Sequence, residues 1–133
     1  MTSKIIINKK FIEQPRGRLS IATFSEFFQT KRFFIIDTVP AGETRGNHAH
    51  KTCTQIMSCL TGQIDILLDD GQTKNTVILK PESEVLIVPP GIWSTQTFKS
   101  DISILLVLAD EDFNEDEYIR DYNQFIKSRQ HGK

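Results

Sequence analysis

Cysteine and tryptophan are scarce in this chain: of 133 residues, two are cysteine and one is tryptophan. Two thiols cannot build the disulfide framework of a small secreted domain. Cys53 and Cys59 fall in a stretch that reads as strand, where their even separation keeps them on one face and too far apart to bridge. Both are expected to be reduced packing residues. No apolar run approaches the length of a membrane-crossing helix. Charge of one sign is not in excess either. Lys and Arg total 16 against 17 Asp and Glu, a net charge of −1, and the basic residues are scattered, which argues against a nucleic-acid footprint but permits a local anion pocket. Met1-Thr2-Ser3-Lys4-Ile5-Ile6-Ile7 carries neither the apolar core nor the cleavage site of a secretion leader, so residence in the cytoplasm, away from membranes, is expected. Repeats, low-complexity tracts and a glycine-rich dinucleotide fingerprint are also missing.

What is present reads as one domain over 1–133, long enough to bury about two thirds of its unfolded surface around a single core. Alternating and branched apolar segments predict strands at Gln55 to Leu60, Gln63 to Leu68, Thr76 to Leu79, Glu84 to Val88, Trp93 to Phe98 and Ile102 to Leu108. Thr61-Gly62, Asp69-Asp70-Gly71, Lys80-Pro81-Glu82-Ser83, Pro89-Pro90-Gly91 and Lys99-Ser100-Asp101 separate them. Strands at this spacing with no helix between them predict an antiparallel sandwich or barrel. Lys4 to Ile7, Leu19 to Ala22 and Phe33 to Ile36 are further strand candidates, with a helical turn at Ser25 to Gln29.

One helix is expected at the end, over about 114–129. Asn114 and Glu117 have the spacing of a capping box, and Tyr118, Tyr122, Phe125 and Ile126 fall on one helical stripe. Lys127 and Arg129 sit where the helix dipole favours cations.

The chemically informative run is Arg45-Gly46-Asn47-His48-Ala49-His50-Lys51. Residues two apart on a strand share a face, so His48 and His50 stand side by side, two groups that titrate near neutral pH. Their frame is regular: Gly42, five residues, His48, Ala49, His50, four residues, Gln55, six residues, Gly62, and later Pro89-Pro90-Gly91, two residues, Ser94. This pair of motifs resembles those of the cupin superfamily, which implies an all-β, double-stranded β-helix barrel of jelly-roll kind carrying the C-terminal helix. Metal-binding cupins place a glutamate where this chain has Gln55 and a third histidine where it has Ser94. An amide and a hydroxyl replace neither, so no metal or other cofactor is expected and the histidines are free to carry protons.

At finer grain the chain resembles the sugar-nucleotide 3,4-ketoisomerases. The matching residues are the histidine run, Leu68-Asp69-Asp70-Gly71, Val88-Pro89-Pro90-Gly91-Ile92-Trp93, Leu106-Val107-Leu108-Ala109, and Asp116-Glu117-Tyr118-Ile119-Arg120-Asp121-Tyr122-Asn123-Gln124-Phe125. The resemblance implies movement of the ketone of a dTDP-4-keto-6-deoxyhexose from C4 to C3, in making deoxysugars for surface polysaccharide such as the O-antigen of lipopolysaccharide. It also implies a homodimer, often with an exchanged N-terminal strand, for which Lys4 to Ile7 has the right character. Some members carry tyrosines where this chain has Phe33 and Phe34, and a histidine where it has Ser94.

Ketone migration needs a base for the C3 proton, a group handling the hydroxyl protons, and donors for the enediolate oxygen. His50 is expected as the base and His48 as its partner. Gln55 is the expected donor if the segment 51–54 resets the strand register; on an unbroken strand it would face outward. Arg16 and Arg45 are the expected diphosphate contacts, because guanidinium groups bind phosphate in a forked geometry. Trp93 is expected to line the mouth of the site, and Ser94 to be a further substrate contact. A metal-dependent cupin enzyme, a non-catalytic sugar-nucleotide-binding module and an epimerase are the competing readings.

Overall fold

The computed structural model describes residues 5–24 and 28–131. Its strands are β1 (Ile5–Ile7), β2 (Lys10–Gln14), β3 (Gly17–Ile21), β4 (Arg32–Ile36), β5 (Thr44–His50), β6 (Gln55–Thr61), β7 (Ile64–Asp69), β8 (Lys74–Leu79), β9 (Val85–Val88), β10 (Trp93–Phe98), β11 (Ile104–Ala109) and β12 (Tyr118–Ile119), followed by helix α1 (Tyr122–His131). They form two five-stranded antiparallel sheets, ordered β1-β9-β6-β11-β4 and β12-β5-β10-β7-β8, and a separate β2-β3 hairpin.

Alternation explains why the two sheets face each other. Met57, Cys59, Leu86, Leu105 and Val107 from the first sheet share one buried cluster with Ile64, Ile66, Leu68, Leu79 and Phe98 from the second, each strand turning every other residue inward. The outer face of the first sheet is partly covered by Ala22, Phe24 and Phe28, which pack on Ile56, Val85 and Ile87. Outside the second sheet, α1 lays Phe125 and Ile126 against Ala49 and Trp93. Among the described residues no helix is long and apolar enough to cross a membrane.

Several expectations change. Strand β2 is not among the strands expected from the sequence; it pairs with β3 across the Pro15-Arg16 turn, Gln14 opposite Gly17. Within the expected Lys4 to Ile7 strand, Ile5–Ile7 pairs with β9 of its own chain, while Lys4 lies outside the described residues. Of the expected turn at Ser25 to Gln29, residues 25–27 also lie outside them. Cys53 sits in the loop before β6 rather than on one strand with Cys59; both thiols are free and buried.

The terminal helix starts later than about 114. Asn114 caps a single 3-10 turn, Glu115–Glu117, its side chain accepting from Asp116 N. Tyr118–Ile119 then adds a strand to the edge of β5, Tyr118 opposite His50 and Ile119 opposite Ala49. That edge has backbone groups that need partners, and an aromatic and a β-branched residue suit a pleated strand. The helix itself begins after Asp121, whose side chain accepts from Gln124 N at 3.1 Å.

Candidate active site

A cavity of about 420 Å³ opens between the sheets, within the range of small-molecule sites. The side formed by the first sheet is apolar apart from Gln55, built by Phe34 and Ile36 of β4, Gln55 and Met57 of β6, and Leu105 and Val107 of β11; the other carries Arg45, His48, Gln96, Tyr118 and Arg120.

A bulge sets the approach to the histidines. Ser94 pairs with His48 but Thr95 pairs with Gly46, leaving Asn47 as the extra residue. Gly46 has φ +94° and Asn47 φ +61°. A Cβ on Gly46 would stand 2.7 Å from Gln96 Oε1, so glycine here answers both to the backbone conformation and to the close approach of Gln96. Beyond the bulge the strand is regular, and His48 and His50 point to the same side, ring centroids 5.1 Å apart and edge to face.

The two imidazoles have different surroundings. His48 lines the cavity, and its Nδ1 lies 3.2 Å from the Gly46 carbonyl oxygen. A carbonyl only accepts, so Nδ1 carries the hydrogen and Nε2 is an acceptor. Burial, reinforced by the neighbouring His50, pushes the His48 pKa down to about 4. His50 is one layer behind and only 4% exposed. Its Nδ1 is 2.7 Å from Glu117 Oε1, which assigns the hydrogen to Nδ1 and leaves Nε2 as a lone pair, buried and without a hydrogen-bond partner.

Glu117 is itself fixed. Its Oε2 accepts from Thr52 N at 3.1 Å and Cys53 N at 2.8 Å. Burial alone would raise its carboxyl pKa, but donation by His50, Cys53 N and Thr52 N outweighs burial and holds it below the usual carboxylate value. The expected capping-box role of Glu117 is therefore replaced by an anchor beneath His50.

Tyr118 completes the cluster. Its ring lies 5.0 Å from that of His48 and 4.4 Å from that of His50. Arg32 Nη2 donates to its hydroxyl oxygen over a long 3.4 Å, and Arg120, paired with Glu115, stands 4.4 Å over the ring.

The other expected residues divide. Gln55 is buried and lines the cavity: residues 51–54 carry the chain from the second sheet to the first, so its side chain points inward. Arg45 is exposed at the cavity wall. Ser94 is buried on the lumen side, where its hydroxyl accepts from Gln96 Nε2 at 3.3 Å. Trp93, expected at the mouth, faces the other way: one residue from Ser94, it alternates to the outer face and packs on Tyr122 and Phe125 at 5.2 and 5.6 Å. Arg16, expected at the diphosphate, stands in the β2-β3 turn and lines a separate surface groove with Ile12, Arg18 and Leu19.

Glu117, Tyr118, Gln96 and Arg120 were missed as site residues. Glu117, Tyr118 and Arg120 occur in the block carrying the finer resemblance, but their helix-like spacing concealed the inward turn of β12.

His50, Cys53 and Glu117 have ligand atoms within 4.8 Å of one another, but they fit a cation poorly. Both Glu117 oxygens already accept hydrogen bonds, and burial pushes the Cys53 thiol up to about 11, away from the thiolate a metal requires.

Two facing antiparallel sheets around a lumen lined by histidine and amide side chains define a cupin barrel. The family model described as "FdtA: WxcM-like, C-terminal" matches residues 1–130, and the chain belongs to this family. It is 33% identical over 128 residues, 96% of this chain and 92% of the relative, to TDP-4-oxo-6-deoxy-alpha-D-glucose-3,4-oxoisomerase of Aneurinibacillus thermoaerophilus. Among solved structures, QdtA, a sugar 3,4-ketoisomerase from Thermoanaerobacterium thermosaccharolyticum in complex with TDP, superposes with a TM-score of 0.89 at 30% identity, covering 97% of this chain and 96% of that one. WlaRA, the TDP-fucose-3,4-ketoisomerase of Campylobacter jejuni, does so with a TM-score of 0.83 at 32% identity and 95% coverage of each chain.

Proposed function

We propose that this protein is a dTDP-4-keto-6-deoxyhexose 3,4-ketoisomerase that works by histidine acid–base catalysis. The observation that carries the reading is the edge-to-face imidazole pair beside a sugar-sized cavity, in a chain of a family whose relatives bear that activity.

In the substrate, C3 bears a hydroxyl and C4 a ketone, whose carbonyl acidifies the C3 hydrogen. His50 is the base. Its Nε2 lone pair is shielded from water, and Glu117 at Nδ1 stabilises the imidazolium once the proton arrives. His48, held neutral at pH 7, is a poor resting place for a proton and a good acceptor for a substrate hydroxyl. As the C3–H bond breaks, its electrons form the C3=C4 bond and the carbonyl electrons move to O4, giving an enediolate. Gln55 donates to the developing oxygen charge. Return of the proton from His50 to C4, with net transfer of the O3 proton to O4, gives the 3-keto isomer. Oxidation at C3 balances reduction at C4, so no external oxidant is consumed. Arg45 binds the diphosphate at the cavity wall.

The proposal includes residence in the cytoplasm, with both thiols reduced, and a product destined for a surface polysaccharide such as lipopolysaccharide O-antigen. It also includes a homodimer. Phe33, Ile35 and Leu60, respectively 65%, 50% and 48% exposed, leave an uncovered apolar area on the outer face of the first sheet, available to a second copy.

Incubation with dTDP-4-keto-6-deoxyglucose in heavy water tests the activity. Proton spectroscopy is expected to show loss of the C3 proton signal and growth of a 3-keto sugar, while folded His50→Asn shows neither. Full turnover by that variant would remove His50 from the base role.

A further inference from the structure

We infer that Tyr118 is the acid that protonates the substrate's carbonyl oxygen, a third catalytic residue beside the histidine pair. The inference rests on the ketoisomerase reading and supplies the proton donor that reading lacks.

Elimination points to Tyr118. Of the polar groups lining the cavity, Arg45 and Arg120 do not release a proton, and the amides of Gln55 and Gln96 do not exchange one in catalysis. That leaves His48 and Tyr118. His48 directs Nδ1–H to the Gly46 carbonyl and offers the cavity an acceptor. With His50 also resting in the Nδ1–H form, neither imidazole begins the reaction able to donate from Nε2. Among the described residues, the phenol of Tyr118 is the remaining transferable proton on the cavity wall.

Its placement suits the task. The ring packs on both imidazoles, so a proton taken by His50 and one given by Tyr118 act on neighbouring atoms of one sugar. Pairing with His50 in β12 fixes the backbone. The Arg32 guanidinium donates to the phenol oxygen, turning the hydroxyl hydrogen elsewhere and leaving a positive charge beside the oxygen once its proton has gone. Arg120 over the ring adds a second.

The proton count closes. His50 takes the C3 hydrogen while Tyr118 gives its hydroxyl proton to O4, leaving an enediol, an imidazolium and a phenolate. The O3 proton then returns to the Tyr118 oxygen, directly or through His48, as the imidazolium protonates C4. Both side chains end as they began.

Tyr118→Phe keeps the ring and removes only the hydroxyl. Its kcat for ketone migration is expected to fall about 10²–10⁴-fold, with KM changed by less than about threefold and with TDP binding and the unfolding midpoint retained. A purely structural tyrosine would not produce that split. Site-specific 3-fluorotyrosine at 118, whose phenol is more acidic, is expected to move the alkaline limb of the kcat profile to lower pH. The charged and titratable neighbours of the phenol, Arg32, His48, His50, Glu117 and Arg120, are unchanged in that protein. A phenylalanine variant with kcat within about threefold of wild type, or an alkaline limb unmoved by fluorination, overturns the acid role and leaves the ketoisomerase reading standing. A wild-type protein that leaves the 4-keto sugar untouched overturns both.

Discussion

His48 and His50 are separated by one residue and share a strand face, yet their surroundings equip them for different work. His50 is backed by a carboxylate and His48 by a carbonyl. Burial and the neighbouring His50 outweigh the carbonyl's hydrogen bond and hold the folded His48 pKa at about 4, below the roughly 6.5 of an unfolded chain. Between those values the unfolded state binds a proton that the folded state refuses, so stability rises with pH from about 4 to about 6.5 and this contribution is flat on either side. Nitrogen-detected spectroscopy of labelled protein is expected to show His48 neutral at pH 5. A charged ring at that pH would refute the assignment. The imidazole pair is legible in the sequence because strand alternation needs no knowledge of the rest of the fold. The division of labour is not, since Glu117 is 67 residues away from His50.

At the scale of elements, β12 organises the site. It places Tyr118 over the histidines and delivers Glu117 beneath His50 and to the backbone of the 51–54 segment. Glu117→Gln retains the shape but has only one accepting oxygen for three donors. Each donor left unsatisfied costs about 1–3 kcal/mol, and urea unfolding at pH 7 is expected to show a loss of that order or more. The carboxyl pKa is depressed in the folded state, so its stabilisation is present above the unfolded carboxylate pKa of about 4.3 and lost as pH falls through the folded value. The difference between wild type and variant should therefore shrink in acid, and a difference independent of pH would contradict the anchor role. The stripe of Tyr118, Tyr122, Phe125 and Ile126 fits a helix as well as it fits a short strand followed by a helix. Only the open edge of β5, which Tyr118–Ile119 fills, decides between them.

For the whole molecule, the uncovered surface around Phe33 and Ile35 carries the expectation of a dimer. Light scattering after size exclusion is expected to give twice the 15.2 kDa chain mass, and Phe33→Asp with Ile35→Asp to give monomer; a monomeric wild type would end the dimer proposal. The same scale explains Arg16 and Trp93. Their residue types suit a nucleotide-sugar site, but the β2-β3 turn carries Arg16 to another groove and strand alternation turns Trp93 beneath α1.

The amino-acid order by itself determined the antiparallel architecture and the histidine pair. The bulge-forming Gly46-Asn47 step is local too, because alternation, turn chemistry and positive φ are properties of a few adjacent residues. It did not determine which groups meet in the lumen. Glu117 under His50, Tyr118 against both imidazoles and Gln96 beside Ser94 depend on which strand edge needs a partner and on which face a sheet buries. Those choices are made by contacts between residues far apart in the chain, when the sheets close on each other.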